Sequence, residues 1–385
     1  MRNPQCPGLS RRHFLAAAGA VSTVPVFGAA ASAPSAPVAI ARCADYGAAL
    51  TPTLKTMMDQ LGGLAKLVGG KTVTIKINLT GSPTMRMGNI PAEHAQYTHP
   101  AVVGATVRLM GEAGARRIRI VEGCFSSSDP LAEFIIDAGW DPAHLLNAAQ
   151  RVEMVNTNLL GTAKHYARFK TPKGGYIFPG LDLHPAYEEC DVLVSIAKMK
   201  EHATCGITLA MKNMFGGTPL TIYGDHAGKD GPDENGTQGG RGSIMHSGLR
   251  GPAKTAPQEN DPKSSRDDKY RMPRIVADIV AARPIHISII DGIYTMAGGE
   301  GPWNYGRLKP MRPGLLVAGT NAVCTDAVGT ALMGFDPMAD RGTAPFEQCD
   351  SSLKLAEDLG VGTRDLSRIE IAGLSIKDAA FRIRG

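Results

Sequence analysis

The feature that most constrains this chain is a strand–helix–strand unit written between residues 71 and 121. Lys71 to Leu79 alternates cleanly: Val73, Ile75, Ile77 and Leu79 share one face, and Thr72, Thr74, Lys76 and Asn78 share the other. A loop punctuated by Gly81, Pro83, Gly88 and Pro91 leads to a helical pattern from about His99 to Ala113. Thr98 is its expected N-cap, and Pro100 sits in the first turn. Gly114 closes that helix, and Arg117–Val121 reads as the next strand. A helix between two such strands returns the chain to the starting end of the sheet, so the strands lie parallel and need cover on both faces.

The pattern recurs along the chain. Residues 190–197 read as a buried strand, 274–282 as helix, 286–290 and 314–318 as strands, 321–333 and 353–359 as helices, and 369–372 as a last strand. The predicted fold is α/β: a mainly parallel, Rossmann-like sheet with helices on both faces, spanning residues 71–385. Residues 34–70 read as a lead-in with one helix at about 53–68. The stretch 216–269 is rich in Gly, Asp, Asn, Pro, Lys and Ser and nearly empty of large aliphatics, which predicts a lid-like polar insertion.

The first 33 residues carry an address. Ser10-Arg11-Arg12-His13-Phe14-Leu15 is a twin-arginine export pattern, followed by a weakly apolar run and the small residues Ala29-Ala30-Ala31-Ser32-Ala33. Gly19, Ser22, Thr23, Pro25 and Gly28 interrupt the run, so no stable membrane span is expected there or later. The expected partner is the twin-arginine translocation machinery, and the expected location is periplasmic or secreted. Removing this segment takes Arg2, Arg11 and Arg12 and lowers the formal charge from +5 to +2. A mature chain so near neutrality carries no electrostatic footprint for nucleic acid.

Of seven cysteines, Cys6 lies in the signal segment. The other six are scattered without a CxxC pair, which argues against an iron–sulfur cluster or a zinc knuckle. Cys190 and Cys324 sit in apolar patterns and are expected as small buried hydrophobes.

Polar residues collect where strands end. Lys76 and Asn78 close one strand, Glu122 another, and Lys198, Lys200 and His202 follow residues 190–197. Asp291 and Glu300 follow the strand at 286–290, and Asn321 and Asp326 follow the one at 314–318. Ligands of open parallel sheets bind at the carboxyl ends of the strands, so this set predicts one site. Helix capping is the competing reading for Asn321. A helix is expected from near Thr204, which would align Thr204, Thr208 and Lys212 on one face. Lysines beside a helix start suit a phosphate or carboxylate. Neither a Walker motif nor GxGxxG occurs, so a nucleotide is not indicated. No pair of histidines has HxxxH spacing. A divalent metal would have to be assembled in space, with His202, His226, His246 and Asp291 as candidate ligands.

Lys76-Ile77-Asn78-Leu79, Thr98-His99-Pro100, Gly111–Ala115 and Val121-Glu122-Gly123 resemble, in order, landmarks of the domain-of-unknown-function 362 family. So do Asp191-Val192, Lys198-Met199-Lys200-Glu201-His202, Thr208 through Asn213, Phe215-Gly216, Asp291-Gly292-Ile293, Gly301-Pro302, Asp326-Ala327 and Gly334–Pro337. The resemblance spans about residues 71–373. It implies a fold and a site, adds Asn213 to the candidates, and implies no agreed reaction. The insertion obscures which of His226 and His246 matches the family's histidine after the lysine helix.

Two functions compete. The first is an exported enzyme acting on a small anionic substrate by hydrolysis, elimination or isomerisation. Lys76, Asn78, Lys198, Thr208, Lys212 and Asn213 would bind the substrate, and His202, Asp291, Glu300 and Lys200 would carry catalysis, with or without a metal. The second is a periplasmic anion- or metal-binding or maturation protein without turnover.

Overall fold

The computed structural model describes residues 32–304 and 306–384. The expected signal peptide, 1–33, lies almost wholly outside them. From Ala33 onward the chain is one compact unit, built on eight strands: β1 (Val38–Arg42), β2 (Thr72–Lys76), β3 (Arg117–Glu122), β4 (Val152–Asn156), β5 (Val192–Lys198), β6 (Ile287–Gly292), β7 (Leu315–Gly319) and β8 (Ile371–Gly373). They form a single sheet in the order β8-β1-β7-β6-β5-β2-β3-β4. Only β7 runs against its neighbours; the other pairings are parallel. From the centre, β2, β3 and β4 step outward one way, and β5, β6 and β7 the other. That is the doubly wound, Rossmann-like order, and the reversal falls between β2 and β5.

Helices cover both faces. On one side α1 (Leu50–Gln60) and α2 (Pro100–Glu112) bury Leu54, Met57, Val103 and Val107 against Val73, Ile75 and Ile196. On the other, α3 (Asp268–Ala282) and α4 (Ala322–Leu332) bury Ile275, Val276, Val323 and Val328 with Leu193 and Ile290.

Several expectations are corrected. The N-cap of α2 is His99, whose Nδ1 accepts the Ala101 N–H; Thr98 instead donates to the Ile196 carbonyl. The helix expected at 53–68 is two, α1 and Leu64–Val68, parted by Gly62 and Gly63 at φ of 97° and 87°, where side-chained residues are strained. The lead-in is no appendage: β1 lies between β7 and β8.

Because β7 is antiparallel, its carboxyl end lies at the opposite edge of the sheet from those of β2, β3 and β5. Asn321 therefore leaves the expected site and caps α4, accepting from Val323 and Cys324 N–H. Asp326 is buried beneath the sheet's cover and accepts from the Ala210 and Met211 N–H groups. Burial pushes its carboxyl up to about 7 against the pull of those two donors.

The helix expected from Thr204 is the largest correction. Lys200–His202 and Gly206–Thr208 form a small antiparallel hairpin, and the helix is one turn, Ala210–Asn213. Gly206 turns at φ 74°, and a Cβ there would lie 2.6 Å from the Pro345 carbonyl oxygen. The β-branched Ile207 and Thr208 suit the extended backbone that follows.

Segment 216–269 is mostly irregular backbone, but it is anchored. Ile222, Tyr223, Ile244 and Met245 are buried in the α3-side core. All six cysteines after residue 33, Cys190 and Cys324 among them, are buried and unbridged.

Candidate functional site

The carboxyl ends of β2 and β3 and the segment following β5 enclose a cavity of about 210 Å³, at the point where strand order reverses. Its walls bring together Lys76, Asn78, Lys200, His202, Thr208, Lys212, Asn213 and Glu300. Arg241 and His246 arrive from the 216–269 segment, and Glu122 from the end of β3. The volume matches roughly seven waters at about 30 Å³ each, enough for a molecule of a few heavy atoms.

Two expected members lie elsewhere. Lys198 and Asp291 form an ion pair of 2.8 Å in which both side chains are 0 % exposed. Lys198 also donates to the Tyr46 hydroxyl and to the Glu93 and Tyr294 carbonyls. Asp291 accepts from Tyr46 Oη–H and the His99 N–H, and Tyr46 stacks on the His99 ring at 3.5 Å. The cause is the two-residue period of the strands. Val194, Ile196 and Lys198 share the α1–α2 face of β5, as Ile287, Ile289 and Asp291 do in β6, whereas Lys76 shares its face with Thr74, which donates to Ala186 O in the other layer. His226 is exposed and not part of the cavity wall. Among the described residues, no group of three or more His, Cys, Asp or Glu side chains is placed to hold a metal ion; the set His202, His226, His246 and Asp291 is dispersed.

Within the cavity, charge divides into satisfied and unsatisfied. Lys76 meets Glu122 at 2.6 Å, both nearly inaccessible, and donates also to Ile77 O and Asn213 Oδ1. Its three hydrogens are spent, so it holds the strand ends together. Burial pushes Lys76 down and Glu122 up, while the Leu79 and Gly123 N–H groups support the charged carboxylate. Glu300 accepts from Ala203 N–H and from Trp303 Nε1–H at 2.7 Å, fixing the hairpin and the Trp303 ring at the cavity wall.

Lys200 donates to the Gln96 and Glu300 carbonyls and keeps one hydrogen free. Arg241 spends Nε and Nη2 on Thr218, Asn158 and Gly216. Half-buried Lys212 has no carboxylate within ion-pair distance among the described residues; its ammonium lies 4.3 Å from the Phe215 ring centroid. Burial lowers all three: Lys200 well below the usual lysine range, Lys212 in the same direction, and Arg241 to about 10.

Both histidines are held neutral. Burial first, then the nearby Lys212 charge, pushes His202 well below its ordinary value and His246 to about 4. His202 Nδ1 accepts the Thr204 N–H at 3.1 Å, so the neutral ring carries its hydrogen on Nε2. The cavity therefore offers cationic donors in excess, one unpaired lysine of lowered basicity, and a neutral imidazole donor. Sequence reading missed Arg241 and Trp303: both sit in irregular, glycine-rich segments where no periodicity marks a facing direction. The displacement of Lys198 was legible in the alternation Val192, Val194, Ile196, Lys198.

The family model described as Domain of unknown function (DUF362) matches residues 73–331. A thylakoid-associated protein of Synechocystis sp. is 25 % identical over 302 residues, covering 78 % of this chain and 75 % of that one. Among solved structures, a Thermotoga maritima protein matches with TM-score 0.34 at 16 % identity over 68 % of this chain and 54 % of its own. The lactate racemase apoprotein from Thermoanaerobacterium thermosaccharolyticum matches with TM-score 0.36 at 14 % identity, over 70 % and 52 %. The chain thus spans about half the length of these two structures. No described helix is long and apolar enough to cross a membrane.

Proposed function

The chain belongs to the DUF362 family, whose description names no reaction, and from that premise we propose an exported enzyme that binds a small anion in the cavity and moves a proton on it. Lys200, Arg241 and the protonated form of Lys212 hold the anionic group. Lys212 carries the proton: it is the lysine of the wall with no ion-pair or hydrogen-bond partner among the described residues, and burial lowers its basicity from that of a free lysine. His202 Nε2–H donates to the oxygen on which charge develops, as a neutral imidazole does without giving up a proton itself.

The observation that carries this reading is the unpaired Lys212 in a wall that also holds Lys200 and Arg241. Proton abstraction, and hence a lyase or isomerase, is favoured over hydrolysis because both carboxylates of the wall are already engaged. Glu122 serves Lys76 and two backbone donors, and Glu300 serves Ala203 and Trp303, which leaves neither free to activate water. The test is proton NMR in D₂O with a panel of two- to four-carbon carboxylates. The expected result is loss of a carbon-bound proton signal from at least one of them, dependent on the protein. Saturable binding without exchange across the panel would point instead to a binding protein without turnover.

Export rests on Arg11-Arg12. Changing both to lysine preserves charge and removes the recognised pair, so the protein should stay in the cytoplasm. Undiminished export of that variant would remove the twin-arginine assignment.

A further inference from the structure

One amide in the cavity is oriented by a chain of hydrogen bonds that begins outside it. Asn213 Nδ2 donates to the Lys76 carbonyl at 3.1 Å, to Ser195 Oγ at 3.0 Å and to the Ile196 carbonyl at 3.3 Å. Carbonyls only accept, so the Asn213 nitrogen must face them and its oxygen must face the other way. That oxygen accepts from the Lys76 ammonium at 3.2 Å, which excludes the flipped amide a second time. Asn213 Oδ1 then calls for a donor from Asn78, and Asn78 Nδ2 supplies it at 3.2 Å.

The consequence falls on the last atom of the relay. Asn78 Oδ1 is buried with no hydrogen-bond partner among the described residues, in a residue 7 % exposed that lines the cavity. The hydroxyl of Thr208, a residue 3 % exposed on the same wall, is likewise buried without a partner among the described residues. A buried polar atom left unmatched costs free energy unless something in the site meets it. An anion's oxygens meet lysines, the arginine and the threonine hydroxyl, but they cannot satisfy an amide oxygen. That atom needs a hydrogen donor.

We infer that the ligand is a small anion that also carries a hydroxyl group, with the hydroxyl donating to Asn78 Oδ1 while Lys200, Lys212 and Arg241 take the anionic oxygens. A hydroxyl fits better than an ammonium. Four cationic side chains line the wall against two carboxylates, so a further positive charge would be repelled. The shared chemistry covers small hydroxy-carboxylates and hydroxylated phosphate monoesters. This inference rests on the anion-binding reading and names the substrate class within it.

Matched pairs test it by titration calorimetry on the full mature chain: glycolate against acetate, and glycerol 1-phosphate against propyl phosphate. The hydroxylated member of at least one pair should bind about tenfold or more tightly than its partner, because a site built around a hydrogen-bonded group penalises the analogue that lacks it. The pair that shows the preference identifies carboxylate or phosphate. Asn78→Leu, near in volume, should erase that preference, so that the two members of the pair bind alike. Circular dichroism checks the fold of this variant, and Asn78→Ser, which keeps an acceptor, should restore part of the preference. Equal affinity within both pairs overturns the hydroxyl assignment and leaves the anion site standing. If neither member of either pair binds, the anion site falls and the hydroxyl assignment falls with it.

Discussion

Replacing Asp291 with alanine should cost the fold about 3–5 kcal/mol and leave the cavity's ligand affinity untouched in whatever fraction stays folded. The reason is the complete burial of its partner. Lys198 is 0 % exposed, and burial already pushes its ammonium down, so only the Asp291 carboxylate at 2.8 Å and the surrounding acceptors keep the charge tolerable. Removing the carboxylate strands that charge and also releases the Tyr46 hydroxyl and the His99 and Ile293 N–H groups. The double variant Lys198→Met, Asp291→Leu should recover much of the loss, since two apolar side chains replace a pair whose desolvation offsets most of its attraction. Urea unfolding measures both. If Asp291→Ala unfolds normally but loses ligand, Asp291 belongs to the site after all.

The Lys212→Met variant should show the reverse behaviour. Its stability should stay within about 1 kcal/mol of the parent, because no ion pair or hydrogen bond is lost and methionine keeps the contact with Phe215. Proton exchange on the bound ligand should drop by roughly 10²–10⁴, the usual worth of a positioned acid–base group. Anion affinity should weaken by roughly tenfold or more, through loss of a charge-assisted hydrogen bond.

The pH dependence has a defined sign. Burial lowers the Lys212 pKa in the folded state, so between the folded and unfolded values the unfolded chain holds more protons and stability rises with pH. That rise should be smaller in the methionine variant. Anion affinity runs the other way in the parent, falling as pH climbs through the lowered value and the ammonium is lost. A methionine variant that unfolds, with ligand binding intact in the folded remainder, would make Lys212 a structural residue.

How much of this was legible beforehand depends on which physical rule governed each residue. Lys76 and Asn78 were readable because a clean alternation fixes which way each side chain points. Lys200, His202 and Glu300 were readable because strand ends of a parallel sheet share an edge. The same rule failed for Asn321, since β7 has no helical crossover before it and reverses direction, which sequence alone does not mark. It also failed for Lys198 and Asp291, where the edge was right and the face was wrong. Thr208 and Lys212 were placed in the site for the wrong reason: they meet because a hairpin and a single helical turn fold back on each other, not because they recur on a helix. Arg241 could not be found, as its position comes from long-range contacts with Thr218 and Asn158.

The place of β1 beside β7 has a practical consequence for anyone trimming this chain. The family match runs from 73 to 331 and so omits both β1 and β8, yet β1 supplies every hydrogen-bond partner on the outer side of β7. A fragment cut to the matched boundaries would present Leu315, Leu316, Val317 and Ala318 as a bare, apolar sheet margin. Such a margin recruits strands from other copies, and the fragment would come out of expression as insoluble material even though the cavity, at the β2–β5 switch point, does not touch that margin.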